Sequence, residues 1–226
     1  MVQLLETIEL ETAPNPTAAV IWMHGLGADG NDFVPIVNEL DLTGAQPIRF
    51  IFPHAPVRPV TINNGHVMRA WYDIAFGDLE GNTRKADERG VRVSQTQIGQ
   101  LIARENQRKI SCKNIVLAGF SQGGAMALHT GLRHTETLAG VMALSTYLPL
   151  HESFAQEAAA ANTKTAIFMA HGTHDPVVPY AMGRASRDRL QLAGYAVEWH
   201  EYPMQHSVCL EEITDVGRWL GKVLAA

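Results

Sequence analysis

Residues 114–129 constrain the fold more than any other stretch of this chain. Asn114-Ile115-Val116-Leu117-Ala118 is an apolar run that reads as a buried parallel strand. Gly124-Ala125-Met126-Ala127-Leu128-His129 reads as a helix, and Gly119-Phe120-Ser121-Gln122-Gly123 joins the two. A chain that changes from strand to helix over so short a link must turn sharply, and glycines leave room where a Cβ would block the turn. The Ser121 hydroxyl then stands at the carboxyl edge of a sheet. It also lies beside a helix N-terminus, whose free N–H groups favour developing negative charge. This is the nucleophile-elbow pattern, G-x-S-x-G. The pentapeptide alone also occurs as an ordinary turn with a chance serine, so its partners decide the reading.

A serine hydroxyl attacks a carbonyl only when a base takes its proton. On this strand-turn-helix scaffold the partners follow in the order serine, acid, histidine. Thr165-Ala166-Ile167-Phe168-Met169-Ala170-His171 is the next strong apolar strand, and Asp175 follows in the loop Gly172-Thr173-His174-Asp175-Pro176. Tyr195 to Tyr202 reads as the last strand, with His206 in the loop after it and a helical segment from about Val208 to Leu224. Of the histidines that follow Asp175, His200 lies inside that strand and His206 lies beyond it. Among rival acids, Asp188 and Glu198 fall on a helix and a strand, and Glu136, Glu152 and Glu157 have no strand end just before them. Ser121, Asp175 and His206 are therefore the expected triad. Loops at the carboxyl ends of parallel strands share one face, where ligands bind in open α/β sheets.

The oxyanion of an acyl transfer needs two donors. One is the backbone N–H of Gln122, the residue after the serine. The other comes from an early strand-to-helix loop. Ala18-Ala19-Val20-Ile21-Trp22-Met23 is an apolar strand and His24-Gly25-Leu26-Gly27 follows it, which points to the N–H of Leu26. For both residues the backbone geometry is expected to matter more than the side chain. Gly25 to Gly30 also spells G-x-G-x-x-G ahead of a helical stretch from Asp32 to Leu40. The dinucleotide fingerprint requires an acid after the second strand. Here Ile48-Arg49-Phe50-Ile51-Phe52 runs into Pro53-His54, so no dinucleotide cofactor is expected. His171, His174 and Asp175 offer metal-ligand chemistry, but no further ligands lie nearby in sequence. No cofactor is expected, and no bound metal.

With these residues in place the chain resembles the carboxylesterase and acyl-protein thioesterase family of small α/β-hydrolases. The matching segments are His24-Gly25-Leu26-Gly27, Phe52-Pro53-His54-Ala55-Pro56, Pro59-Val60-Thr61 with Asn64-Gly65, Met68 with Trp71-Tyr72-Asp73, Gly119 to Gly124, Leu148-Pro149, His171-Gly172 with Asp175 to Pro179, and His206-Ser207. They run in order over nearly the whole chain. The resemblance implies a mostly parallel central sheet with helices on both faces. It also implies the same triad, with Leu26 and Gln122 at the oxyanion hole. Two residues depart from the pattern: Thr146 replaces a common glycine, and Arg69 a commoner proline. The resemblance places both in the substrate groove, so they bear on substrate preference.

The chain has 226 residues, a natural length for one α/β domain spanning 1–226. Its formal net charge of −5, without a basic run, argues against a nucleic-acid partner. No signal core or transmembrane-length apolar run is seen, so a cytoplasmic location is expected. Cys112 and Cys209 read as free thiols of a reducing compartment. The segment 54–89 carries prolines, glycines and the aromatics Trp71, Tyr72 and Phe76 without a clear period. It is expected to be an irregular groove wall, with Trp71 contacting the acyl chain. The expected activity is serine ester hydrolysis through an acyl-enzyme on short to medium acyl esters. Acyl-protein thioesterase and lysophospholipase activities are the alternatives, and a non-catalytic binding protein on the same scaffold is the rival from another class. The expected partner is a small or lipid-like ester, and a homodimer is compatible with the chain.

Overall fold

The computed structural model describes residues 4–76 and 84–225. The chain begins with β1 (Thr7–Glu11), β2 (Ala18–Met23), a 3-10 turn at Val34–Glu39, and β3 (Ile48–Pro53). Two small hairpins follow, β4 (Val57–Val60) with β5 (His66–Arg69), and β6 (Ile74–Phe76) with β7 (Arg84–Ala86). The rest alternates: α1 (Glu88–Gln107), β8 (Ile115–Phe120), α2 (Gln122–Gly131), β9 (Gly140–Leu144), a short α3 (Phe154–Glu157), β10 (Ala166–Gly172), α4 (Tyr180–Leu192), β11 (Val197–Tyr202) and α5 (Leu210–Val223).

Seven strands form one sheet in the order β1-β3-β2-β8-β9-β10-β11. Every pairing is parallel except that of β1 with β3. The parallel strands are apolar on both faces because both are covered. Ala19, Ile21 and Met23 of β2 pack into one core with α1, α2 and α4, through Val91, Ile98, Leu101, Leu128 and Leu190. Val20 and Trp22 point the other way, into a second core with Phe33, Ile36 and the Val216, Trp219 and Leu220 face of α5. The expected fold class, with helices on both faces, is the one observed.

Three sequence readings change. The stretch after Gly30 forms a 3-10 turn in place of the helix read from Asp32 to Leu40, with Pro35 in its first turn. β1 was not foreseen, because its Thr7-Ile8-Glu9-Leu10-Glu11 pattern alternates as an edge strand does and lacks the apolar run sought. The 54–89 segment is not irregular where described: hairpin pairing organises 57–69, and β6 and β7 pair as well. Residues 77–83 of that expected wall lie outside the described residues.

The order of β2 and β8 as neighbours places the loops after them side by side. The elbow glycines make that approach close. A Cβ on Gly123 would lie 2.2 Å from the Met23 carbonyl oxygen, and one on Gly119 would lie 2.2 Å from the Gly123 carbonyl carbon. Neither neighbour can yield, since each is backbone. We expect Gly123→Ala to lower the unfolding free energy by about 3 kcal/mol or more. Gly99→Ala, where an added Cβ meets nothing within 4 Å in α1, should instead raise it by about 0.5–1 kcal/mol. Urea unfolding of both variants checks the pair.

Candidate active site

Ser121 stands between β8 and α2 with φ 54° and ψ −118°. Left-handed φ is uncommon for a residue with a Cβ, and here the neighbours hold it. The Ser121 N–H donates to the Leu144 carbonyl at 2.8 Å, and its own carbonyl accepts from Thr146 Oγ1 at 2.6 Å and from the Ala125 N–H at 3.0 Å. The elbow is thus pinned from β9, from the loop after β9, and from the first turn of α2.

His206 sits in the loop between β11 and α5. Its Nε2 is 2.9 Å from Ser121 Oγ, and its Nδ1 is 2.6 Å from Asp175 Oδ2. Asp175 lies in the loop after β10, and its Oδ1 accepts the N–H groups of Val177 and Val178, each at 2.8 Å. Its oxygens are therefore fixed in direction before His206 arrives. The Phe120 ring packs against the His206 imidazole with centroids 4.8 Å apart. The three residues expected from chain order come together within hydrogen-bonding reach. Such a relay can move the serine proton onto Nε2 while the carboxylate holds Nδ1–H and steadies the cation that forms.

The two residues expected to supply the oxyanion donors lie beside Ser121. Leu26 and Gln122 both line the cleft beside Ser121, and Gln122 opens α2, where first-turn N–H groups lack intrahelical partners. The loop after β2 is held by His24. Its Nε2 accepts the Ala55 N–H at 3.0 Å, which leaves Nδ1–H to donate to the Gly25 carbonyl at 2.7 Å. Gly27 N–H donates to the Arg69 carbonyl at 2.9 Å. The side chain of Gln122 was expected to matter little, and here the structure differs. Its Oε1 accepts the Trp71 N–H and its Nε2 donates to the Tyr72 carbonyl, both at 2.8 Å. It ties the elbow to the segment after β5. No sequence pattern announces a side-chain amide used as a substitute strand partner.

Trp71 also moves from its expected role. It is fully buried, and its indole N–H donates to the His24 carbonyl at 2.9 Å. It braces the loop that carries Leu26 and offers no face to an acyl chain. An aromatic residue next to the site was read as lining it, but the ring's size and its single donor suit a buried strut better. Thr146 and Arg69 both bond to the framework of the site. Thr146 is buried behind the elbow, and the Arg69 guanidinium donates to the Ala55 carbonyl at 2.9 Å. Among the residues first considered as metal ligands, His171 Nε2 donates to the Val178 carbonyl, His174 is exposed, and Asp175 faces His206.

The cleft beside Ser121 has a volume of about 310 Å³, with Leu26, Ile74, Phe120, Tyr147, Val177 and Val178 on its walls. A second cleft of about 500 Å³ adjoins it and shares Asp32, Phe120 and His206. Tyr147, whose hydroxyl lies 2.8 Å from that of Tyr72, was missed as a wall residue. The Tyr-Leu-Pro stretch it opens was the available signal.

Burial holds the His24 imidazole down at about 4. A histidine whose folded-state value lies below its unfolded one binds protons more readily when unfolded. Stability therefore rises with pH across that interval and falls as pH drops from about 6.5 toward 4. His129, lowered by burial to about 3, acts in the same sense. Thermal melts from pH 7 to pH 4 should show this loss, with a shallower slope in His24→Gln. A separate test concerns the amide clamp. Gln122→Ala leaves the oxyanion N–H but removes the amide that bonds the buried Trp71 N–H and Tyr72 carbonyl, at about 1–3 kcal/mol for each bond lost. We expect a lower melting temperature together with slower ester turnover, whereas an Ala change at exposed Gln191 should alter neither.

A family model described as phospholipase/carboxylesterase matches residues 6–224. Acyl-protein thioesterase 1 of Neurospora crassa is 43% identical over 210 residues, covering 90% of this chain and 86% of that protein. Acyl-protein thioesterase 1 of Gibberella zeae is 40% identical over 218 residues, covering 94% and 93%. The crystal structure of Zea mays acyl-protein thioesterase 2 superposes with a TM-score of 0.85 at 26% identity, covering 97% of this chain and 99% of that one.

Proposed function

The chain belongs to the phospholipase/carboxylesterase family and is a serine hydrolase, and from that premise we propose that Ser121, His206 and Asp175 hydrolyse short- to medium-chain acyl esters through an acyl-enzyme. The observation that carries this reading is the continuous hydrogen-bond relay from Asp175 Oδ2 through the His206 ring to Ser121 Oγ. Ser121 Oγ attacks the acyl carbonyl while Nε2 of His206 takes its proton. The carbonyl electrons move onto oxygen, which the Leu26 and Gln122 N–H groups receive. Collapse expels the leaving group, which takes the proton back from Nε2. Water repeats the sequence in reverse role and frees the acid.

The apolar walls of the 310 Å³ cleft suit an acyl tail of short to medium length. Each methylene buried there contributes about 0.8 kcal/mol until the chain outgrows the cleft. A thioester is the second reading, favoured by the names of the relatives. The same relay serves it, and a thiolate leaves more readily than an alkoxide. Residues 1–226 act as one catalytic unit in this proposal. Two free cysteines suit a reducing compartment such as the cytoplasm. None of the described helices is long and apolar enough to cross a membrane. A homodimer is compatible with a cleft built from one chain.

Ser121→Ala should abolish hydrolysis and labelling by a fluorophosphonate probe. Because triad members act as a unit, His206→Ala on top of Ser121→Ala should cost little more than either change alone. A panel of acetate, butyrate and octanoate esters with matched thioesters then separates the two readings. kcat/KM rising from acetate to butyrate and levelling by octanoate supports the short cleft. Activity retained in Ser121→Ala, or label on another residue, removes the assignment.

A further inference from the structure

Cys112, His134 and Glu136 converge at the amino-terminal edge of the sheet, opposite the edge that carries Ser121. Cys112 precedes β8, which starts at Ile115. His134 and Glu136 lie in the loop from α2 to β9, which starts at Gly140. The six residues of β8 set this cluster roughly 20 Å from Ser121. Ester hydrolysis uses none of the three.

One ligand-capable atom of each residue lies within 4.8 Å of the other two. The Cys112 Sγ and His134 Nε2 are 3.6 Å apart. A tetrahedral zinc ion holds sulfur at about 2.3 Å and imidazole nitrogen at about 2.0–2.1 Å, which sets two such ligands roughly 3.5 Å apart. The sulfur and nitrogen already stand at that spacing. A thiol-to-imidazole hydrogen bond would account for this pair alone. The Glu136 carboxylate also reaches the Cys112 thiol and, with burial, holds it in its protonated form, so an ion would take the place of the proton that these groups now share.

Two asparagines hold the segments that carry the cluster. Asn106 Nδ2 donates to Cys112 Sγ at 3.2 Å. Asn162, fully buried, donates from Nδ2 to the carbonyls of His134 at 2.7 Å and Glu136 at 3.0 Å. Its Oδ1 accepts the Leu138 N–H at 2.9 Å and the Thr165 hydroxyl at 2.7 Å. The loop that presents His134 and Glu136 is therefore held by one saturated amide. Asn162 thus positions the backbone that carries His134 and Glu136, and Asn106 bonds the candidate sulfur ligand itself. Cys112 is buried and Glu136 is exposed, so the carboxylate can close on an ion by a rotamer change.

We propose that Cys112, His134 and Glu136 form a zinc site with one further position open to water. Thiolate, imidazole and carboxylate together suit zinc, whereas magnesium and calcium take all-oxygen sets. The two anionic ligands balance the charge of the ion. On binding, the Cys112 S–H bond breaks, its electron pair forms the S–Zn bond, and the proton leaves to solvent. The ion cross-links the connection between α1 and β8 to the loop between α2 and β9. It lies apart from the hydrolytic centre.

The test uses the full chain, stripped with a chelator and then titrated with zinc against a chromophoric competitor. A parallel titration with cobalt(II) reads sulfur ligation through the thiolate-to-metal charge-transfer absorption. Expected are one zinc per chain, a higher melting temperature with zinc, and a cobalt charge-transfer band that Cys112→Ser abolishes. Glu136→Gln should weaken zinc binding by about tenfold or more. Both variants, free of zinc, should keep wild-type ester hydrolysis. Glu136 is exposed, so Glu136→Gln decides the matter even if Cys112→Ser folds poorly. The proposal is overturned by no zinc uptake at micromolar free metal, by a cobalt spectrum without the sulfur band, or by equal affinity in wild type and Glu136→Gln. None of these outcomes depends on what Ser121 does.

Discussion

The left-handed turn at Ser121 is the conformation on which the rest of the site depends. A non-glycine residue at φ 54° keeps that shape only when its surroundings over-determine it. Here backbone groups of β9 and α2 and the hydroxyl of Thr146 bond the Ser121 peptide units directly. The absent Cβ atoms of Gly119 and Gly123 let α2 rest on the ends of β8 and β2. The strain is local, and the packing that offsets it extends over three strands. Chemistry follows from this shape, since the turn aims Oγ at His206 and starts α2 at the same point.

The second support is less visible and lies in the loops. His24, Trp71 and Gln122 form a chain of buried hydrogen bonds among residues far apart in sequence. His24 holds Ala55 and Gly25, Trp71 holds the His24 carbonyl, and Gln122 holds the backbone of Trp71 and Tyr72. The Ser94 hydroxyl adds a bond to the Trp71 carbonyl. Each of these groups would be costly to bury unpaired. Together they join the Leu26 loop to the elbow, so the two expected oxyanion donors keep a fixed separation. Thr146 and Arg69, the residues that depart from the family pattern, act inside this framework. Their effect on substrate choice would therefore pass through loop position.

The sequence itself determined the alternation of apolar strands and helices, and hence which loops share the carboxyl edge. A parallel sheet covered on both faces requires continuous apolar runs, and those of Ala18–Met23, Ile115–Phe120 and Ala166–Gly172 are plain to read. Once strand ends are known, Ser121, Asp175 and His206 follow from chain order, because each sits just past one of them. Strand β1 was harder, since an edge strand alternates and carries a weak signal. Only the tertiary structure decided what faces what. Trp71 became a buried strut, Gln122 a clamp, and Cys112 a neighbour of His134 and Glu136, because each role depends on contacts between segments 20 to 50 residues apart. Periodicity reports whether a side chain is buried. It carries no information about which distant backbone group will accept its hydrogen bond.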